Sequence, residues 1–524
     1  MMQLKTPGVY IVEQDAFPNT VIEVPTAIPV FLGYTEKAAD GAVAKAGIPT
    51  RIGSLVEYVR IFGGPPVPSF SLTPGTDQKL LTAALAQQFF LYHGVKLYFL
   101  NGGGPAYVIS VGTFASVQAN GIQASDFMPE PDSAGVREAP FDVLKKVLDV
   151  TLIVAPDSVL LASADDCYQF WQAALQHCGS MQSRMALIDI HGGGTQRSYD
   201  PDGDVISGKM DGLREKIGSN FLNYGAAYYP WLNFDVVDEG SITYDSLQDP
   251  GLAVLADALK AELAAMKPQP SAQMQGNMNT LYAAIQHRLP ADAVPLPAGT
   301  QSRTAVIARC HDQLRQVSPL YQRVVADMLA LANQLPPACA MAGVYARTDE
   351  SAGVWMAPAN TSIMGALSPM VEISHDDQED LNMPLDGRAV NAIRTLPTRG
   401  LVVWGARTLD GNSDDWRYIN VRRTLIMLEQ SIRNAMLAYV FAPNVATTWV
   451  AVQNMISNFL TSQWQSGALA GAKAQDAFSV QIGLGSSMSG DDILNGYMRV
   501  SIRVALLHPA EFIVLTFQQQ QQVS

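Results

Sequence analysis

The residues able to do chemistry fall in a few short clusters. HGGGT occupies 191–195, directly after the apolar run MALIDI. A glycine run at a strand end can offer backbone N–H groups to a developing oxyanion, as in some esterases. Such a site also needs a nucleophile on a G-x-S-x-G elbow. The nearest approach, GSSMSG at 485–490, fails the spacing because Met488 and Ser489 follow Ser487. NGGGP at 101–105 matches neither the dinucleotide nor the P-loop pattern and lacks a lysine or serine placed for phosphate and magnesium. HDDQED at 375–380 packs five possible ligands into six residues, in no calcium-loop register. The other histidines are scattered, and no H-E-x-x-H occurs. RYINVRR at 417–423 gathers three arginines at one helix start, a pattern suited to phosphate or to acidic protein surface. The two glycine runs read as turns, HDDQED as a solvated acidic loop and the arginines as a salt-bridged protein interface. No catalytic, cofactor-binding or metal site is assigned, and no cofactor is expected.

Composition narrows the class. A chain of 524 residues exceeds one hydrophobic core, and roughly two to four domains are expected. Hydrophobic residues make up 48% and charged residues only 16%, a low charge fraction that suits large protein contacts. With 34 bases against 48 acids the net charge is −14, which argues against wrapping nucleic acid. No apolar run is long enough to cross a bilayer and no leader stands at the N-terminus, so a cytoplasmic product is expected. The four cysteines form no CxxC pair and read as free core thiols.

The elements that would position these clusters follow from periodicity. Two proline-fenced strands, 9–13 and 21–24, open the chain; such strands belong at sheet edges or in extended arms. IPVFLGYTE predicts a buried strand and SLVEYVRIF a helix stopped by Gly63 and Gly64. A helix is expected over 81–92, then strands at VKLYFL and PAYVISVG. Residues 113–139 read as a linker. A helix around 141–149, a strand at TLIVAP, a helix over 164–179 and a strand at ALIDI have the grammar of a parallel sheet with crossovers. Helices near 247–266, 279–287 and 307–333 form an inserted module, expected on the outer surface and replaceable by a short linker. A strand at VYARTD, helices around 418–440 and 447–466, an alternating strand at YMRVSIRVALL and a last strand, EFIVLTF, follow. The fold class is α/β and α+β multidomain.

Taken in order, several segments resemble contractile tail sheath proteins of phages and phage-tail-like injection particles. They are PGVYIVE, VPTAIPVFLGYTE, LYFLNGGGPAYVISV, TLIVAPD, ALIDI, AMAGVYARTDESAGVWMAPAN, LPTRGLVVWGARTL and WRYINVRRTLIMLEQSI. The resemblance covers about 1–240 and 335–524, and the central helices lie outside it.

The resemblance implies a non-enzymatic subunit that stacks as six-membered rings around an inner tube and contracts to drive the tube through an envelope. It implies an N-terminal arm at 1–25, a two-part sheath core at 26–112 and 336–510, an α/β domain at 113–244 holding the module at 245–335, and a C-terminal strand and tail at 511–524. Arms from both termini would complete a neighbour's sheet. The donated strand would be Pro7, Gly8, Val9, Tyr10, Ile11, Val12 and Glu13, partnered by Phe512, Ile513, Val514 and Leu515. The tube-facing candidates are Arg433, Gln453 and Lys473. Partners would be further copies of the chain, the inner tube, baseplate and terminal cap proteins, without nucleic acid or membrane insertion. A cap or baseplate component sharing the sheath core is one alternative. An enzyme working near Asp157 and His191, at the carboxyl ends of two strands, is the other.

Overall fold

The structure, a computed structural model, describes residues 20–75, 81–129, 139–266, 269–286 and 303–515. They form two compact units. The large unit comprises Thr26–Ala352 and Met356–Ile419; the small unit holds 20–25, Gly353–Trp355 and 420–515.

The large unit is a mixed α/β structure around one eight-stranded sheet. Its strands are β1 (Pro29–Thr35), β2 (Thr50–Ile52), β3 (Ala106–Thr113), β4 (Leu152–Val154), β5 (Met185–Asp189), β6 (Gly225–Tyr229), β7 (Asn391–Leu396) and β8 (Gly400–Val403). They lie in the order β8-β7-β6-β5-β4-β1-β3-β2. Pairing is parallel from β7 across to β3 and antiparallel at both edges. Every residue of β1, β4, β5 and β6 is buried, as strands covered on both faces must be, which explains their unbroken apolar runs.

Two helices, α1 (Leu91–Leu100) and α3 (Ala338–Ala352), pack against each other closely enough to need glycine; α2 (Ala164–Met181) lies between β4 and β5 in the chain. A Cβ on Gly94 would lie 2.6 Å from Cys339 Sγ, and one on Gly343 would lie 2.5 Å from Tyr98 O. The second contact is with backbone, which cannot yield. Gly343→Ala is therefore expected to destabilise the large unit by about 1–3 kcal/mol, measured as a lower midpoint in thermal unfolding followed by circular dichroism.

The central helices Asp249–Ala265, Ala272–Gln286, Arg303–Val317 and Pro319–Ala332 are fused to this core. Leu252, Leu255, Leu259, Tyr321 and Val324 share one apolar cluster with Phe70, Leu72 and Phe234. Gln88 Nε2 donates to Ala332 O at 2.7 Å, and Asn333 Oδ1 accepts from the backbone N–H of Val236 and Val237 at 2.9 Å each. A linker in place of the module is therefore expected to leave Phe70 and Leu72 open to water.

Several local expectations are corrected. Leu81–Gln87 is a strand paired with Ser69–Pro74, not a helix. Leu81, Ala83 and Leu85 alternate toward the core, and this period of two overrides the helix propensity of Ala, Leu and Gln. The segment VKLYFL belongs to α1, and VYARTD belongs to α3. HDDQED opens a helix, α4 (His375–Asn382), in which Ser374 and Asp377 form a capping box. The 113–139 stretch holds helices Phe114–Asn120 and Ala124–Phe127, and only Pro140–Leu144 of the next expected helix forms.

The small unit is a helical hairpin with a two-stranded sheet. Helices α5 (Ile419–Met436) and α6 (Ala446–Gln465) bury Met427, Leu428, Ile432, Val452, Ile456, Phe459 and Leu460 in one core. Strands β9 (Phe478–Gln481) and β10 (Ser501–Val504) pair antiparallel, and Val480, Ile502 and Val504 turn toward that core.

Candidate inter-subunit interface

The chemical clusters of the sequence are consumed by the fold. In HGGGT, Gly193 N–H donates to Ile190 O and Thr195 N–H to Gly192 O, both at 2.9 Å. Trp231 covers the turn and its Nε1 donates to Ile190 O at 3.0 Å. Those two N–H groups are spent on the turn. Asp157 is fully buried, and its carboxylate accepts from Tyr34 N at 2.7 Å and Phe90 N at 2.6 Å. His191 Nε2 donates to Leu161 O at 3.1 Å. The carboxyl ends of β4 and β5, where an α/β enzyme would hold its ligand, are thus occupied by helix caps. NGGGP is a turn in which Gly103 lies against the Tyr98 ring, and Asn101 Nδ2 donates to Leu97 O and Met364 O. Among the described residues no three of His, Cys, Asp and Glu are grouped to hold a metal ion. All four cysteines are buried and free. Burial pushes the thiols of Cys167 and Cys178 up to about 12.

Open bonding capacity is found in the small unit. Ala505 N–H donates to Ala477 O at 2.8 Å. With alternation along the ladder, this makes Arg503–Ser479 and Ser501–Gln481 the bond-exchanging pairs. The backbone groups of Phe478 and Val480 then point off the β9 side, and those of Ile502 and Val504 off the β10 side. The β9 side is partly closed, since Gln453 Nε2 donates to Val480 O at 3.0 Å and Phe478 N–H to Ala474 O. No described residue bonds the outward groups of Ile502 and Val504. The turn leading into β10 is fixed. The N–H of Ser489 and then the Arg499 guanidinium hold the Asp492 carboxyl down at about 2.

Past β10 the chain presents Phe512, Ile513, Val514 and Leu515 at 67%, 78%, 86% and 73% exposure. Residues 512–515 are assigned no strand and pair with no strand among the described residues. The arm residues 7–13 lie outside the described residues; their continuation does not. Val21 and Val24 pack on the small unit's core, Val24 N–H donates to Ser431 Oγ at 3.0 Å, and Gln463 Nε2 donates to Glu23 Oε2 at 3.0 Å. Residues 20–25 form no strand. Of the other candidates, Arg433 and Lys473 are exposed, whereas Gln453 is half-buried and engaged with Val480. Sequence reasoning missed Gln453's role because the carbonyl it closes is 27 residues away.

Internally bonded glycine turns and two compact units, one of them with an open edge at β10, define an α/β multidomain architecture. Residues 412–520 match the family model for the phage tail sheath C-terminal domain. The tail sheath protein of Salmonella phage ViI is 29% identical over 140 residues, which cover 26% of this chain and 22% of that protein. Across nearly the whole chain the fold is that of solved sheath assemblies. The PVC extracellular contractile injection system sheath in its contracted state is 26% identical, with 99% of each chain covered and a TM-score of 0.56. The contracted helical sheath of the anti-feeding prophage is also 26% identical, covering 99% of this chain and 100% of that one, with a TM-score of 0.57. A chain of the anti-feeding prophage baseplate is 27% identical over 99% of this chain and 100% of that one, with a TM-score of 0.56. Residues 412–520 thus match a phage tail sheath domain, and the chain as a whole is similar in fold to contractile sheath subunits.

Proposed function

We propose that this chain is the subunit of a contractile sheath. It polymerises as stacked six-membered rings around an inner tube and shortens to drive that tube through a target envelope. The observation that carries this reading is a pair of complementary deficits on one polypeptide. β10 offers an edge without a strand, and 512–515 offers an apolar segment without an edge. Exchange between copies satisfies both, by strand addition, and a head-to-tail contact of this kind propagates. The arm at 7–13 is the second strand donor, and β10 rather than β9 is the receiving edge. In this reading 1–25 is the exchanged arm and the small unit faces the tube through Arg433 and Lys473. The exposed face of α6 around Asn454, Asn458 and Ser462 is uncharged, which suits a contact that must later slide. The sheath assembles in the bacterial cytoplasm and meets tube, baseplate and cap proteins there. No helix among the described residues is long and apolar enough to cross a membrane. The match to a baseplate chain favours a second reading, a single ring at the baseplate end.

Truncation separates arm from scaffold. Deleting 1–19 is expected to leave a monomer with parental circular dichroism that forms no cylinders by negative-stain microscopy. Deleting 1–25 is expected to lower its unfolding midpoint as well, because Val21, Val24 and the two hydrogen bonds of 23–24 leave the core. Cylinders of parental length from the shorter deletion would overturn strand exchange by the N-terminal arm. Single rings from the full chain would favour the baseplate reading.

A further inference from the structure

Each of the two closely packed helices of the large unit begins on a buried carboxyl. Asp157 follows β4 and receives Phe90 N–H at the start of α1, while Asp189 ends β5 and receives Ala338 N–H at the start of α3 at 2.8 Å. The two carboxyls differ in how well they are met. Both oxygens of Asp157 accept backbone N–H bonds. Asp189 spends Oδ1 on Ala338 and leaves Oδ2 buried with no hydrogen-bond partner.

No cation among the described residues acts on Asp189. The titratable groups facing it are the thiols of Cys339 on α3 and Cys167 on α2, both pushed up by burial first of all. Its register partner on β6, Tyr228, is occupied with Tyr345, their hydroxyls 2.7 Å apart. A buried anion with one bare oxygen and no countercharge is far more costly than a neutral acid at the same place.

We propose that Asp189 stands in the folded subunit as a neutral acid, and that loss of its proton is what loosens the start of α3. Burial, working against the single Ala338 N–H, pushes its carboxyl up to about 8; for Asp157 burial reaches only about 7 against three N–H donors. In an unfolded chain both would titrate near 4. The folded state therefore binds the extra protons. The stability they lend is full below about pH 4, declines as pH rises, and is gone above the folded value. Between about pH 7 and 8 only Asp189 still contributes. The element it holds is the one from which the chain leaves the large unit at Ala352.

The test is the unfolding midpoint of the full chain from pH 5 to 9, for the parent and Asp189→Asn. The parent midpoint is expected to fall by several degrees between pH 7 and 8. Asp189→Asn, which supplies a neutral side chain at every pH, should stay flat over that segment, and above pH 8 the buried thiols lower both midpoints alike. Asp157→Asn sets an amide against several donors and should lower the midpoint throughout while keeping the pH 7–8 segment. His93, His177 and His311 are kept neutral in the folded chain mainly by burial; because an unfolded histidine titrates near 6.5, their contribution rises with pH up to about 7 and is flat from pH 7 to 8. The infrared spectrum of the parent labelled with carbon-13 aspartate gives a second reading that needs no variant. A protonated-carboxyl C=O band present at pH 7.3 should vanish by pH 9. Parallel curves for parent and Asp189→Asn, a parent flat with pH, or no such band at pH 7.3 would overturn the proposal.

Discussion

Replacing Ile502 by proline is expected to leave the small unit folded and to abolish cylinder formation. Proline removes one backbone N–H and is tolerated in a strand only where that N–H faces outward. At Ile502 it does face outward, because the bonds to β9 are made at 501, 503 and 505. The loss of part of a half-buried side chain costs the unit about 1–2 kcal/mol, a small fall in its midpoint. An incoming strand, however, would find its donor missing and a ring in its path. Arg503→Pro is the opposite case. It removes a bond within the β9–β10 pair and should unfold the hairpin before assembly is attempted. The measurement is paired: circular dichroism of the monomer and electron microscopy at polymerising concentration. Normal cylinders from Ile502→Pro would place strand exchange on the other edge, where Gln453 would have to give way.

Asp204→Ala is expected to destabilise the large unit by about 3–5 kcal/mol. Asp204 is fully buried and accepts from Arg197 Nε and Nη2 at 3.2 and 2.9 Å, from Ser198 N at 3.2 Å, and from Ser207 N and Oγ at 3.0 and 2.8 Å. Arg197 is itself 8% exposed and bridges on to Asp380, which also receives Arg214 Nη1 at 2.9 Å. The network pins the long loop after HGGGT to α4. Its loss leaves a buried guanidinium with only the half-exposed Asp380 as counterion. Burial works against the Asp204 carboxylate, but the Arg197 and Ser207 bonds outweigh it, so its pKa lies below the usual value. Asp380 is held down in the same way by Arg197 and Arg214. These carboxylates contribute stability at pH values above about 4, and that contribution fades as pH falls through their lower folded values. Acid unfolding of the parent should therefore steepen below pH 4, and the variant should show less of that slope. Denaturant titration at pH 7 and pH 3.5 measures both.

The contrast between α1 and β1 shows where sequence stops being informative. PVFLGYT is an unbroken apolar run of strand length, and only a strand buried on both faces fits it. VKLYFL has the same look and is a helix. What starts α1 is a carboxylate 67 residues away that meets Phe90 N–H, and no local pattern carries that partner. The same holds for α3, whose cap is Asp189, 149 residues back. α4 differs: its Ser374–Asp377 capping box is local, but a cluster of carboxylates in HDDQED fits a solvated loop equally well.

The sequence by itself determined the class of protein. Its buried-strand runs mark an α/β chain, and its ordered set of segments resembles sheath proteins. Those properties are local or compositional, so they survive in one dimension. Tertiary structure alone decided which glycines are spent on turns, which carboxyls are buried without a counterion and which side of β9–β10 is open. It also decided that the central helices complete the large unit's core. Each of these depends on groups brought together across tens to hundreds of residues. Burial and hydrogen-bond satisfaction are properties of such assembled neighbourhoods, and the spacing of residue types along a chain does not encode them.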